Sequence, residues 1–276
     1  MKRPVFGLRF LLVCVGILCA FLAYLSHAAS AQKRVVELLS KNRAVLCYDC
    51  DAPQSVESAV RKRLGDLIGQ HYACNVISVK LTEPIDAEES IARLRLLESL
   101  EFLSIENVAI SDSMLTVLGD LNSLRTLSLW NCRISPSHLS RLSRLSELRE
   151  LVLGYSDVGG GDLRFVVDLA KLETLNLSGQ TVNEKLLNEI AGLEHLDSLV
   201  LQGTGCTDRD IANLGQIDTL RSLDLCSTRI TDSAVDTLVQ LVNLKYLHIR
   251  WTAISENGVL RLKAAMPTLS INYVPL

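Results

Sequence analysis

Three cysteines and a histidine stand in paired spacing near the start of the chain, Cys47-x-x-Cys50 and His71-x-x-Cys74. Thiolate and imidazole donors in a Cys₃His set can complete the tetrahedral shell of a zinc ion. Such paired spacing more often arises without a metal, in a segment stapled by one disulfide or in thiols with no role, so no metal is assigned. A thioredoxin-like use of Cys47 and Cys50 is disfavoured, because no strand–helix–strand unit follows the pair. A second constellation is Asp224, Cys226 and His248, the donor types of a Cys/His hydrolase. Nothing in the sequence supplies it with a pocket or an oxyanion hole. Gly159-Gly160-Gly161 lacks the Lys-Ser/Thr that a phosphate-binding loop needs, and marks a reshaped turn instead.

The elements that would position these groups follow from a period of 24. Leucine recurs at Leu100, Leu124, Leu148, Leu172, Leu196, Leu220 and Leu244, each followed by apolar residues three and five places on. Such a fixed period describes a solenoid, in which every coil touches only its neighbours. Counting each coil from its leucine, positions 3–7 form a strand, with 4 and 6 inward and 3, 5 and 7 outward. Position 9 is mostly a small hydroxyl residue, placed to bond backbone groups of the next coil. Position 11 is apolar or cysteine and points inward. Position 12 is Ser111, Ser135, Gly159, Asn183, Thr207, Thr231 or Ser255, all helix N-cap types. Acids at position 13, such as Asp112, Asp208 and Asp232, suit the positive end of a helix dipole. That role accounts for their recurrence better than a metal or catalytic one. Apolar residues at 16, 19 and 22 give one face of a short helix.

The coil Leu220–Leu241 (LRSLDLCSTRITDSAVDTLVQL) carries this phrase most fully. It resembles bacterial leucine-rich-repeat proteins with an N-terminal anchor or signal. Leu260–Ile271 resembles the closing segment of ribonuclease-inhibitor-like repeats. The resemblance covers about residues 76–276. It implies an α/β solenoid, an arc or horseshoe with a parallel β-sheet on the concave face and short helices on the convex face. By analogy it also implies protein binding.

Three segments are expected: a signal peptide or single membrane anchor over 1–31, a helical cap over 32–75 and the repeats over 76–276. Lys2, Arg3 and Arg9 precede an uncharged run from Phe10 to Leu25, and Ala29-Ser30-Ala31 fits a small-x-small cleavage site. Uncleaved, residues 5–25 would hold the chain in a membrane with the repeats on the outer side. Cleaved, it would be secreted or periplasmic. Within the cap, helices are expected over 32–42 and about 53–68, with a strand at Ala44–Tyr48.

A net charge of −3, without a basic stripe, argues against a nucleic-acid partner. No cofactor and no catalytic role are expected. The partner is a protein of unspecified identity, and aromatic and arginine side chains are the usual anchors of such interfaces. On the concave face those are Phe102, Trp130, Tyr155, Tyr246, His248, Arg250 and Trp251, with Asp224 beside the last group. Second to a binding module stands a structural or enzyme-regulating, inhibitor-like repeat protein. The Cys/His hydrolase is a distant third.

Overall fold

The computed structural model describes residues 28–51, 62, 74–158 and 162–274. Its centre is one ten-stranded sheet in the order β1-β2-β3-β5-β7-β8-β9-β10-β11-β12. After β1 (Val45–Tyr48) come β2 (Val76–Thr82), β3 (Phe102–Glu106), β5 (Thr126–Trp130) and β7 (Glu150–Val152). The last five are β8 (Thr174–Asn176), β9 (Ser198–Val200), β10 (Ser222–Asp224), β11 (Tyr246–His248) and β12 (Ser270–Asn272). A two-stranded ladder, β4 (Ala109–Ile110) with β6 (Arg133–Ile134), continues two coils past the main turn. From β2 onward every pairing in the large sheet is parallel. Leu103 stands beside Leu127, Leu127 beside Leu151, Leu151 beside Leu175 and Leu175 beside Leu199.

Position 4 and position 6 side chains of all seven coils from Leu100 onward are buried at 1% exposure or less. They join the position 11, 16 and 19 residues in one continuous core. The parallel neighbours bury the flanks that a single coil would leave open, which is why burial is complete in the stack.

The convex side departs from a uniform row of α-helices. Asp112–Gly119, Glu184–Ile190, Val235–Gln240 and Glu256–Ala265 are α-helical, but Pro136–Arg144, Leu163–Asp168 and Leu214–Gln216 are 3₁₀. Leu139, Leu142 and Leu145, or Leu163, Val166 and Leu169, recur every three residues and are buried. The apolar spacing does not separate the two kinds, since Leu115, Leu118 and Leu121 carry it in an α-helical coil and are buried as well. A three-residue period fits the 3.0-residue turn of a 3₁₀ helix at least as well as the 3.6 of an α-helix.

Capping follows position 12 where a helix forms. The side chains of Ser111, Asn183, Thr231 and Ser255 accept hydrogen bonds from the first turn. Ser135 makes no such bond, and Pro136 follows it. The position 13 acids do more than face a dipole. Asp112 accepts from Ser135 Oγ (2.5 Å), Asp208 from Thr231 Oγ1 (2.7 Å) and Asp232 from Ser255 Oγ (2.6 Å). Asp208 and Asp232 also accept the backbone N–H of the same Thr231 and Ser255. Each acid therefore ties its coil to the cap of the next.

These bonds hold the Asp112 and Asp232 carboxyls below their ordinary range, through Ser135 and Ser255 respectively. A depressed folded-state pKa stabilises the fold above the unfolded value and loses that contribution as the pH falls through it. The melting temperature should therefore drop as the pH falls below roughly 4. An Asp112→Asn/Asp232→Asn double variant should melt lower at neutral pH and show a shallower acid decline. Identical pH profiles for both proteins in thermal melts would contradict this.

The position 9 residues also differ from expectation. Thr204, Thr228 and Thr252 donate to the carbonyls of Leu201, Leu225 and Ile249 in their own coils. Cys132, Ser156 and Gln180 cross between coils, and they reach the preceding one, bonding Ile105 O, Leu129 O and Leu153 O.

At the N-terminal end, residues 28–41 are helical and bury Val35, Val36 and Leu39. The Ala29-Ser30-Ala31 site falls inside this helix. Asn42, buried, donates to Ser90 Oγ (2.8 Å) and accepts from the Asp86 backbone N–H (3.2 Å), locking the cap to the first coil. β1 pairs antiparallel with β2, the one reversal in the sheet. Among the described residues no helix is long and apolar enough to cross a membrane. The apolar run Phe10–Leu25 and the helix expected over 53–68 lie outside the described residues, apart from residue 62.

Candidate functional site

The backbone of the concave face is hydrogen-bonded beyond the strands themselves. Position 8 ends each strand in the left-handed region, at Glu83, Asn107, Asn131, Tyr155, Gly179, Gly203, Ser227 and Trp251, with φ between 48° and 72°. In that conformation the position 8 N–H still reaches the next coil. Tyr155 N donates to Ser178 O (2.8 Å), and Ser227 N to Arg250 O (2.9 Å). Glycine and asparagine adopt this region readily, whereas other residues lose roughly 1–2 kcal/mol there. Tyr155 and Trp251 are bulky residues in that strained position, and local strain of this kind gathers at functional sites. The asparagines and glycines at this place were the signal in the sequence, and the periodic leucines drew attention away from it.

Two aromatic groups stand on this face. The first is Phe102, Trp130 and Tyr155, exposed by 41%, 38% and 47%. Trp130 and Tyr155 meet edge to face, with ring centroids 5.2 Å apart and planes at 66°. Their seats are made by missing side chains. A Cβ on Gly154 would collide with the Trp130 ring, and one on Gly179 would come within 2.9 Å of the Tyr155 ring. Gly154→Ala should therefore lift the indole off the sheet. With Trp251→Phe as background, so that Trp130 alone reports, its fluorescence should shift to the red. The protein should also lose about 1 kcal/mol, an ordinary overpacking cost. An unchanged emission spectrum would count against the seat.

The second group is Tyr246, His248, Arg250 and Trp251. Tyr246 and Trp251 are exposed, while His248 and Arg250 are half-buried. The Arg250 guanidinium lies 4.5 Å from the Trp251 ring centroid, a cation–π arrangement. Asp224 and His248 are direct partners across β10 and β11, as the 24-residue spacing implied. Asn272 Nδ2 approaches His248 Nδ1 from the other side, at 3.4 Å. The structure thus brings Asp224, Tyr246, His248, Arg250 and Trp251 together at the C-terminal end. Phe102, Trp130 and Tyr155 lie several strands away, toward the N-terminal end.

The hydrolase reading fails at its nucleophile. Cys226 is buried, and its backbone N–H donates to Asp224 Oδ1 (2.8 Å). Burial first, and the Asp224 carboxylate second, push the thiol up to about 11. A nucleophilic cysteine needs the opposite, a thiolate at neutral pH. Asp224 anchors a turn here and does not orient His248 as a base.

The zinc reading loses a donor. Cys74 is disulfide-bonded, so its sulfur is not available to a metal, and Cys47 is a free exposed thiol. His71 and the Cys50 side chain lie outside the described residues. Among the described residues no three His, Cys, Asp or Glu side chains gather as a metal site.

A depression of about 720 Å³ runs along the rim beside Tyr155, lined among others by Asp162, Arg164, Asn183 and Lys185. Its Arg164 is already paired with Asp162 at 2.5 Å, so that charge is spoken for.

Similar architecture occurs in solved structures. Internalin C2 from Listeria monocytogenes superposes with a TM-score of 0.53 at 20% identity, covering 78% of this chain and 92% of that one. An internalin (inlF) from the same organism gives 0.49 at 18% identity, over 80% of this chain and 75% of that one. The plant peptide hormone receptor RGFR1, solved in complex with RGF2, gives 0.46 at 18% identity, over 72% of this chain and 32% of that one. No curated protein matches the sequence. The model of the leucine-rich repeat region matches residues 104–269, more than half the chain, and the protein belongs to the leucine-rich repeat family.

Proposed function

We propose that this chain is a non-enzymatic protein-binding module that docks its partner on the concave face. The leucine-rich repeat domain is typical of protein-binding modules. The observation that carries the reading here is five exposed aromatic side chains on one face of a continuous sheet, two of them in strained backbone positions. Exposed large apolar groups gathered on one face mark interaction sites, whereas scattered ones do not. Tyr246, His248, Arg250 and Trp251 form the principal contact, with Asp224 beside them and Phe102, Trp130 and Tyr155 as a second contact.

We place the repeats outside the cytoplasm, secreted or held at a membrane by residues 5–25. The domain boundaries at 31/32 and 75/76 belong to the same proposal. The basic residues before the apolar run support export. So does the disulfide at Cys74, since such bonds persist in oxidising compartments.

Replacing Tyr246, Arg250 and Trp251 together by alanine should weaken capture of the partner by at least ~30-fold, the loss of a ≥ 2 kcal/mol hot spot. The melting midpoint should hold, because the three side chains are exposed or half-buried and alanine keeps the Cβ that strains position 251. Undiminished capture by the folded triple variant, with the intact chain as control, would reject the site.

A further inference from the structure

We infer that Arg250 is a receptor for one carboxylate, and that the partner is an acidic peptide segment bearing an Asp or Glu side chain next to an apolar one. The inference rests on the concave face being the binding face.

The arginines at the opposite rim already have acids. Arg125 lies 3.5 Å from Glu101, Arg221 lies 3.2 Å from Asp197, and Arg149 pairs with Glu173. Arg250 has none among the described residues, although it stands on the face that carries the exposed aromatics. Its Nε is buried and has no hydrogen-bond partner. The guanidinium has therefore given up water on that side without a replacement. A cation partly stripped of water gains more from an ion pair than one at the open surface. Trp251 holds the group in place from one side, which leaves the forked Nη end as the part that can face a ligand. A planar fork suits a carboxylate, which it can bind through two parallel hydrogen bonds.

The charge balance selects a monoanion. One guanidinium is available, and Asp224 stands one strand away in the neighbouring column. A phosphate dianion would meet that acid with only one positive group to offset it. Tyr246 and Trp251, both exposed, flank the position and give the residue beside the carboxylate an apolar surface to lie on.

The test is selection of peptides from a random display library against the intact chain, in parallel with Arg250→Met and with the Tyr246/Arg250/Trp251 triple alanine variant. The wild-type chain should enrich a family with an Asp or Glu beside an aromatic or aliphatic residue, and Arg250→Met should enrich no acid. A synthetic peptide of that family should bind 10- to 100-fold more weakly when its acid is changed to the amide, as expected for a charge-assisted hydrogen bond. A wild-type family without an acid, absent from the triple variant, overturns this inference and leaves the binding face standing. Tighter binding of the phosphoserine version than of the acid version overturns the monoanion assignment. A family retained by the triple variant, or no enriched family with the wild-type chain, overturns the inference together with the binding face.

Discussion

Leu175→Asp is expected to destroy the cooperative unfolding of the whole stack, not only of its own coil. Leu175 has no exposed surface and stands between Leu151 and Leu199 in the parallel ladder. A carboxylate there has no partner. Burying one unpaired costs several kcal/mol, even after the group takes up a proton. Whole domains are stable by only about 5–15 kcal/mol. In a stack stabilised between neighbours, the central coil also supports the flanks of the coils on either side. The result should be loss of most helical and strand signal in far-UV circular dichroism at temperatures where the parent is folded. Leu175→Ala makes the size of the effect interpretable. It should cost about 2–5 kcal/mol, the usual range for a buried leucine, and keep a single transition. If Leu175→Asp keeps the parent melting midpoint and loses hydrogen-exchange protection only over 172–195, the coils are independent and this account of the stack is wrong.

Gln180→Leu should destabilise the protein by about 1–3 kcal/mol, although it places an apolar side chain at a buried position. Gln180 is 3% exposed. Its Nε2 donates to Leu153 O at 2.7 Å and to Ser156 O at 2.6 Å, both in the preceding coil. Leucine would remove both bonds; Leu153 O keeps the Ser156 N–H at 3.3 Å, but Ser156 O loses this donor, and an unsatisfied buried group costs about 1–3 kcal/mol. Ser156 is part of the same arrangement. Its Oγ donates to Leu129 O at 2.8 Å and accepts from Cys132 N at 2.9 Å. The polar spine thus runs through three consecutive coils, and breaking it at Gln180 should weaken protection at Ser156 and Cys132 as well. Denaturant unfolding measures the effect; an equal or higher midpoint for Gln180→Leu would show that water or the backbone satisfies Ser156 O instead.

The interior was legible in the sequence because its physics is periodic. Leucines at a fixed spacing must all face the same way if the coils are alike, and Leu103, Leu127, Leu151, Leu175 and their partners do so. The caps at Ser111, Asn183, Thr231 and Ser255 were legible for the same reason. The 3₁₀ turns were not. A spacing of three residues is compatible with either helix, and packing against the neighbouring coil chooses between them. The inter-coil bonds of Asp112, Asp208 and Asp232 were also hidden, because they join residues 23 apart whose approach depends on how closely the coils stack.

For the site, residue type and column placed the aromatic and arginine side chains on one face and set Asp224 beside His248. What each group could do there depended on three-dimensional surroundings. Burial and the Asp224 carboxylate keep the Cys226 thiol protonated, a disulfide removes Cys74 from the zinc set, and the Trp251 ring fixes Arg250 with an unpartnered nitrogen. Which side chains enter the core and which line the open face follows from the order of residues, since alternation along a strand and repetition between coils are properties of that order. Which polar groups find partners was set by the stacking of the coils, because it depends on distances of a few tenths of an ångström between them, and the order of residues does not contain those.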